Sequence, residues 1–219
     1  MSDINLPTGF KKSVNFEESA EQRKRNPTVR AVAFYLPQFH PTAENDLHWG
    51  KGFTEWSNVA RATAEFTGHH QPRAPRDFGY YDLRLSSVQQ NQAQVAEAAG
   101  VAAFCYYYYW FDGQKPLMVP IQNHESDNAI SLPFCLCFAN ENWTKKWDGH
   151  DSEVIFLQKY GQNFARRFWD DLVEHLKSPK YLTDDAGSPY LLVYRPSLIP
   201  DFLGVVETNT GSPFRNGPL

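Results

Sequence analysis

The chain has 219 residues, 42% hydrophobic and 21% charged, the make-up of a soluble globular protein large enough to bury a good core. A net charge of −4 without any cluster of Lys and Arg excludes a phosphate-backbone partner, so no nucleic acid is expected. No apolar run reaches membrane-spanning length and residues 1–26 lack the apolar stretch of a signal peptide, so the sequence predicts no membrane span and a cytoplasmic location.

Residues 1–29 are polar and charged, with a Glu-Glu-Ser-Ala-Glu-Gln-Arg-Lys-Arg run, and read as an N-terminal arm. The first predicted strand runs from about Arg30 to Leu36, ending in Pro37 with Gln-Phe-His-Pro after it. From Pro37 to Arg84 no helical or strand period is visible, although a short helix over Phe53–Ala60 capped by Thr54 fits. Structureless segments of this length are usually functional, and this one holds His48, Trp49, Glu55 and Trp56.

A helix follows over Ser86–Ala99, capped by Ser86 or Ser87, with Val88, Gln92, Val95 and Ala99 on one face and Gly100 as its stop. The second strand, Val101–Tyr107, runs into Tyr108-Tyr109-Trp110-Phe111-Asp112-Gly113, and Leu117–Asn128 reads as a helix with Pro120 in its first turn. Phe134 to Phe138 has the composition of a strand buried on both faces, and it delivers Asn140, Glu141, Trp143 and Trp147 to a rim. A short strand is predicted at Val154–Gln158. A helix at Asn163–Leu176 carries Phe164, Phe168, Leu172 and Leu176 at i, i+4 spacing, and a fourth buried strand at Tyr190–Tyr194 ends in Arg195. Residues 203–219 read as an irregular tail. Strands separated by helical runs mean parallel βαβ units, in which ligands meet the chain at the carboxyl ends of the strands.

Cys105, Cys135 and Cys137 all fall in apolar runs and read as buried thiols of a reducing compartment. Cys135 and Cys137 would share one side of a strand, but no further ligand lies at a suitable spacing, so no metal is expected. No Gly-rich phosphate loop or Asp-x-Asp motif appears either, so no cofactor is expected.

The ordered motifs Ala33-Phe34-Tyr35-Leu36-Pro37-Gln38-Phe39-His40, Trp49-Gly50-Lys51-Gly52-Phe53-Thr54-Glu55-Trp56, Tyr106-Tyr107-Tyr108-Tyr109-Trp110-Phe111, and Asn140-Glu141-Asn142-Trp143-Thr144 through Trp147-Asp148-Gly149 resemble the WbsX-type family. That family comprises glycosyltransferase-like proteins of bacterial polysaccharide biosynthesis and is related to glycoside hydrolase family 99. The resemblance covers about residues 30–200. It implies a (β/α)8 TIM barrel with a carbohydrate site at the carboxyl ends of its strands, a glycan as substrate, and glycosyl transfer or glycoside hydrolysis in surface polysaccharide (lipopolysaccharide, O-antigen) biosynthesis. Such a barrel takes ~250 residues, whereas only four strands are legible here. The expectation is therefore a barrel truncated to about its first four β/α units over 30–202, with open strand edges that favour association. The alternative is a non-catalytic sugar-binding remnant.

Glycoside chemistry draws on two carboxylates, one handling the proton and one attacking or stabilising the sugar cation. Glu141 is the first candidate, either as acid/base or as a carboxylate that binds sugar hydroxyls. Glu55 is the second, either in the site or as a capping or salt-bridging residue of its short helix. Trp143 and Trp147 either stack on a sugar or pack on the barrel top. Asn140, Tyr35, Trp56, Trp110 and His40 complete the expected substrate-binding set, with His48 and His150 as further hydroxyl partners. Asp112 and Asp148, each before Gly, read as turn residues.

Overall fold

The computed structural model describes residues 29–145 and 153–202. The predicted arm at 1–29, all but its last residue, the tail at 203–219, and Trp147, Asp148 and His150 lie outside them. In chain order the elements are β1 (Ala31–Tyr35), α1 (Ala43–Trp49), α2 (Glu55–Arg61), α3 (Ser86–Ala98), β2 (Val101–Tyr108), α4 (Val119–Ser126), β3 (Phe134–Phe138), β4 (Trp143–Thr144), β5 (Val154–Phe156), α5 (Phe164–Leu176) and β6 (Leu191–Val193). Four strands form one parallel sheet in the order β1-β2-β3-β6, and β4 and β5 pair separately as an antiparallel ribbon. The sequential order β1, β2, β3, β6 with a helix before each new strand is the βαβ arrangement that the alternation predicts.

The two faces of this sheet differ. Tyr35, Phe104, Tyr106, Tyr108, Phe134, Leu136 and Phe138 project toward α3, α4 and α5, where Phe138 and Phe168 have ring centroids 4.4 Å apart and Tyr35 and Tyr106 likewise 4.4 Å. Burying this face supplies the main driving force for the fold. Strand alternation sends Val32, Phe34, Cys105, Tyr107, Cys135, Cys137 and Leu192 to the other face. All three cysteines are free and buried. Arg30 donates to the Thr183 carbonyl and to the Tyr190 hydroxyl, each at 3.3 Å, and so ties the amino end of β1 to the chain leading into β6.

Three expectations are corrected. The stretch 37–84 contains α1 as well as α2. Thr42 caps α1, but Asn45 is its one buried residue, so no apolar stripe marks it. Helix α3 has no side-chain cap, since Leu85 occupies the N-cap and Ser86 is already helical. Its most buried residues are Gln89 and Ala93, so the deepest contact is rotated from the Gln92 and Val95 stripe because a buried hydrogen bond draws Gln89 inward. Trp143 opens the short strand β4, an element that the sequence reading did not include. The cap of α2 is as predicted, with Thr54 Oγ1 accepting from Trp56 N and Ser57 Oγ accepting from Thr54 N.

A polar chain crosses the helix-facing core. Gln89 Nε2 donates to the Tyr106 hydroxyl (3.1 Å) and to the Pro120 carbonyl (2.7 Å). His124 Nε2 is 2.8 Å from the Leu132 carbonyl, to which it can only donate, so Nδ1 accepts from the Tyr106 hydroxyl at 2.9 Å. Burial lowers the His124 pKa to about 4 and keeps the imidazole neutral. Unfolded, the same group titrates near 6.5. Between these values the unfolded chain binds the extra proton, so stability is full above the upper value and falls as pH drops through the window. His124 is expected to withdraw about 3 kcal/mol across it, measurable by thermal melts from neutral to acid pH, with His124→Gln flattening the profile.

Candidate functional site

The carboxyl ends of β1, β2, β3 and β6 meet at one rim, and the sheet ladder persists into it: Ala139 N donates to Tyr108 O at 2.9 Å and Tyr194 N to Phe138 O at 3.0 Å. Asn140 is fully buried there. Its Oδ1 accepts from Arg195 N (2.8 Å), while Nδ2 donates to Arg195 O (2.7 Å) and to the Tyr160 hydroxyl (3.1 Å), which in turn donates to the Asn140 carbonyl (3.0 Å). The amide is therefore used to bracket β3 to β6. Glu141, next in sequence, is half-exposed and accepts from Arg195 Nε at 2.8 Å. One residue is thus gripped twice, its backbone by Asn140 and its guanidinium by Glu141, and the Glu141 carboxylate is held at the mouth.

Glu55 reaches the rim from the first residue of α2. That helix is fixed by Trp56, whose Nε1 donates to the Tyr81 carbonyl at 2.8 Å and whose ring lies 4.6 Å from Phe39, the residue preceding His40. Glu55 is half-buried and, among the described residues, has no ion-pair partner; desolvation alone raises its carboxyl pKa above the usual range. It lies close enough to Tyr109 for its charge to push that phenol higher still, after burial has done most of it. Gln38 Nε2 donates to the Tyr109 hydroxyl at 2.7 Å, joining the ends of β1 and β2.

Tyr109 stacks on Trp143 with centroids 5.6 Å apart, Trp143 on Phe156 at 5.7 Å, and Phe156 on Phe111 at 5.0 Å. This run of rings carries the β4–β5 ribbon on the rim, and Lys145 and His48 approach Glu153 at its flank. Trp143→Ala should remove two ring contacts, lowering stability by about 2 kcal/mol and loosening the ribbon, which limited proteolysis would register.

Glu141, Asn140, Glu55, Trp56 and Trp143 are thus brought to one end of the sheet. His40 is near it but buried, with Nδ1 lacking a hydrogen-bond partner among the described residues, and burial lowers its pKa. Tyr35 and Trp110 are not part of the group. Tyr35 faces α3, donating to Gln92 Oε1, and Trp110 is fully buried against Phe164 and Phe168, with Nε1 donating to Asp171 at 2.7 Å. Three groups escaped the sequence reading. Gln38 carried no signal beyond its place after a strand. Thr144 Oγ1 and both carboxamide atoms of Gln158 are buried without hydrogen-bond partners among the described residues, beside Trp143 and Asn142, and no periodicity flags them. A small open pocket of about 180 Å³ between Phe111, Gln114, Phe156 and Lys159 has Asp112 as its lone carboxylate among the described residues, paired with Arg167, and does not coincide with the rim carboxylates.

A family model described as Glycosyltransferase WbsX matches residues 31–212. The chain belongs to the WbsX glycosyltransferase family. Two curated relatives, each an uncharacterized protein WxcX from a strain of Xanthomonas campestris pv. campestris, are 49% identical over 170 residues, covering 78% of this chain and 24% of their own length. The WbsX-family chain thus spans about a quarter of the curated relatives it matches. Among solved structures, the GH99 endo-alpha-mannosidase from Bacteroides thetaiotaomicron, in complex with bis-tris-propane, aligns with 78% of this chain and 43% of its own at 13% identity and a TM-score of 0.46. Among the described residues no helix is long and apolar enough to cross a membrane.

Proposed function

We propose that this chain contributes the first four β/α units of a (β/α)8 barrel, over residues 30–202, and binds a glycan at their carboxyl ends for glycosyl transfer or glycoside hydrolysis in bacterial surface polysaccharide metabolism. The observation that carries the reading is the contrast between two carboxyls at one rim. Among the described residues Glu55 is desolvated without a cation and so inclined to keep its proton, while Glu141 is paired with Arg195. Carboxyls with opposed environments divide acid and acceptor roles between them. In this scheme Glu55 donates a proton or a hydrogen bond to a glycosidic or hydroxyl oxygen, and Glu141 with Arg195 orients sugar hydroxyls. Membership of the WbsX glycosyltransferase family supports a glycan rather than another polyol.

The ion pair of Glu141 also favours the second reading, a binding module, because a carboxylate held by a guanidinium is a better hydroxyl acceptor than a proton shuttle. Titration with neutral oligosaccharides tests both. Glu141→Gln should weaken binding about tenfold or more, and unchanged affinity would remove Glu141 from the site.

A further inference from the structure

We propose that Tyr109 is a substrate-contacting residue of the rim, its phenol proton offered to a hydroxyl oxygen of a neutral pyranoside, and that Gln38 is the positioning residue that aims it. The inference rests on the glycan reading above and adds to it a specificity contact besides the two carboxyls.

Tyr109 follows β2 directly, and the chain there is held by the last rung of the sheet, in which Ala139 N donates to Tyr108 O at 2.9 Å. Alternation turns Tyr106, Tyr108 and Trp110 to the helices and leaves Tyr109 on the opposite side, at the mouth. Tyr35 and Tyr106 are register partners, so Gln38 and Tyr109, each three residues further on, leave adjacent strands at the same level. Across that level Gln38 Nε2 donates to the Tyr109 hydroxyl at 2.7 Å. A phenol has one proton to give and lone pairs with which to accept. Gln38 occupies an accepting position, so the proton points elsewhere, and among the described residues no acceptor receives it. The ring is fixed as well, because Trp143 stacks on it at 5.6 Å with planes 30° apart and Trp143 is in turn stacked on Phe156.

A half-buried donor that is aimed, immobilised and unspent suits a ligand that brings the acceptor. Its neighbours indicate which ligand. Glu55 lies close enough for its charge to act on the phenol, and Trp143 follows Asn140 and Glu141 on the adjoining strand end. A sugar hydroxyl offers a lone pair at this point and a C–H does not, so an analogue without that hydroxyl leaves the phenol unpaired. The contact therefore acts as a specificity determinant more than as a source of affinity.

NMR titration of the 219-residue chain with the methyl pyranosides of glucose, galactose and mannose, and with the monodeoxy analogues of the one that binds most tightly, tests this. Tyr109→Phe keeps the ring and its stack and should weaken binding about fivefold, with the loss absent for the one monodeoxy analogue whose missing hydroxyl meets residue 109. Gln38→Glu replaces the donor by an acceptor and turns the phenol proton back onto residue 38. It should cost as much affinity as Tyr109→Phe, spare the same analogue, and add nothing when the two are combined, whereas independent packing defects would add. Should one variant lose its fold, the other decides through that analogue. Binding that Tyr109→Phe leaves unchanged, a Gln38→Glu variant as tight as wild type, or a loss that persists with every monodeoxy analogue overturns the inference and spares the glycan reading. Absence of binding to all three pyranosides overturns it too, and the glycan reading then stands or falls on the oligosaccharide titration.

Discussion

Asn140→Ala should be the most damaging single substitution at the rim, lowering stability by about 3 kcal/mol and the melting temperature by roughly 6–12 °C. The residue is fully buried, and removing its amide takes away the partner of Arg195 N and of Arg195 O, and one of the two bonds of the Tyr160 hydroxyl, which still donates to the backbone carbonyl of residue 140. The cost is that of unsatisfied buried groups rather than of the bonds themselves. Asn140→Asp separates the contributions, because it keeps the acceptor for Arg195 N while losing both donors. An intermediate melting temperature is expected, with the β3–β6 bracket half kept. Sugar affinity should fall in both variants, since Arg195 is what positions Glu141. A melt unchanged by Asn140→Ala would mean that the bracket does not hold the rim.

Glu55→Gln should separate binding from chemistry. Desolvation raises the Glu55 pKa and so favours its protonated form, which glutamine matches in size and hydrogen bonding; sugar affinity should stay within about threefold, but an amide cannot release a proton. Any turnover that uses Glu55 as general acid should drop ~10²–10⁴-fold. Glu55→Ala should lose both. The pH profile carries the same signature. A carboxyl whose folded pKa is raised keeps its proton above the usual range, so rate should hold at mildly acid pH and decline as pH rises through the shifted value. Its contribution to stability has the sign opposite to that of His124, being present at low pH and lost on deprotonation. Equal loss of affinity in Glu55→Gln and Glu55→Ala would assign Glu55 a structural role at the start of α2.

Much of the sheet was legible because each parallel strand is a short apolar run bounded by Pro, Gly or polar residues, and β3 is buried at all five positions. That same property hid the facing of individual side chains. A strand buried on both faces has no polar alternation, so nothing in the run from Tyr106 to Phe111 marks which rings turn toward the helices. Parity does hold in the structure: Tyr106, Tyr108 and Trp110 face the helices, while Tyr109 remains at the rim with Trp143. Placing Trp110 with the sugar-binding aromatics followed from its proximity in sequence to the strand end, and counting by twos from Tyr106 would have set it in the core. Tyr35 is the register partner of Tyr106 and shares its fate. Asn140 was recognisable as a rim residue, but its partner Arg195 lies 55 residues away, a pairing that sequence spacing does not reveal. Glu55 was found through its neighbours in a Trp-rich segment, but spacing alone does not show the burial that it acquires near Tyr109.

Saturation-transfer NMR of the purified chain against a panel of neutral bacterial oligosaccharides, run side by side with Glu141→Gln and Glu55→Ala, bears most directly on the central claim that the rim is a glycan site. The account predicts transfer to sugar ring protons in the wild-type chain, strongly reduced in both variants while their folds persist. Absence of transfer to every sugar from a well-folded chain, or transfer that both variants leave intact, would contradict it.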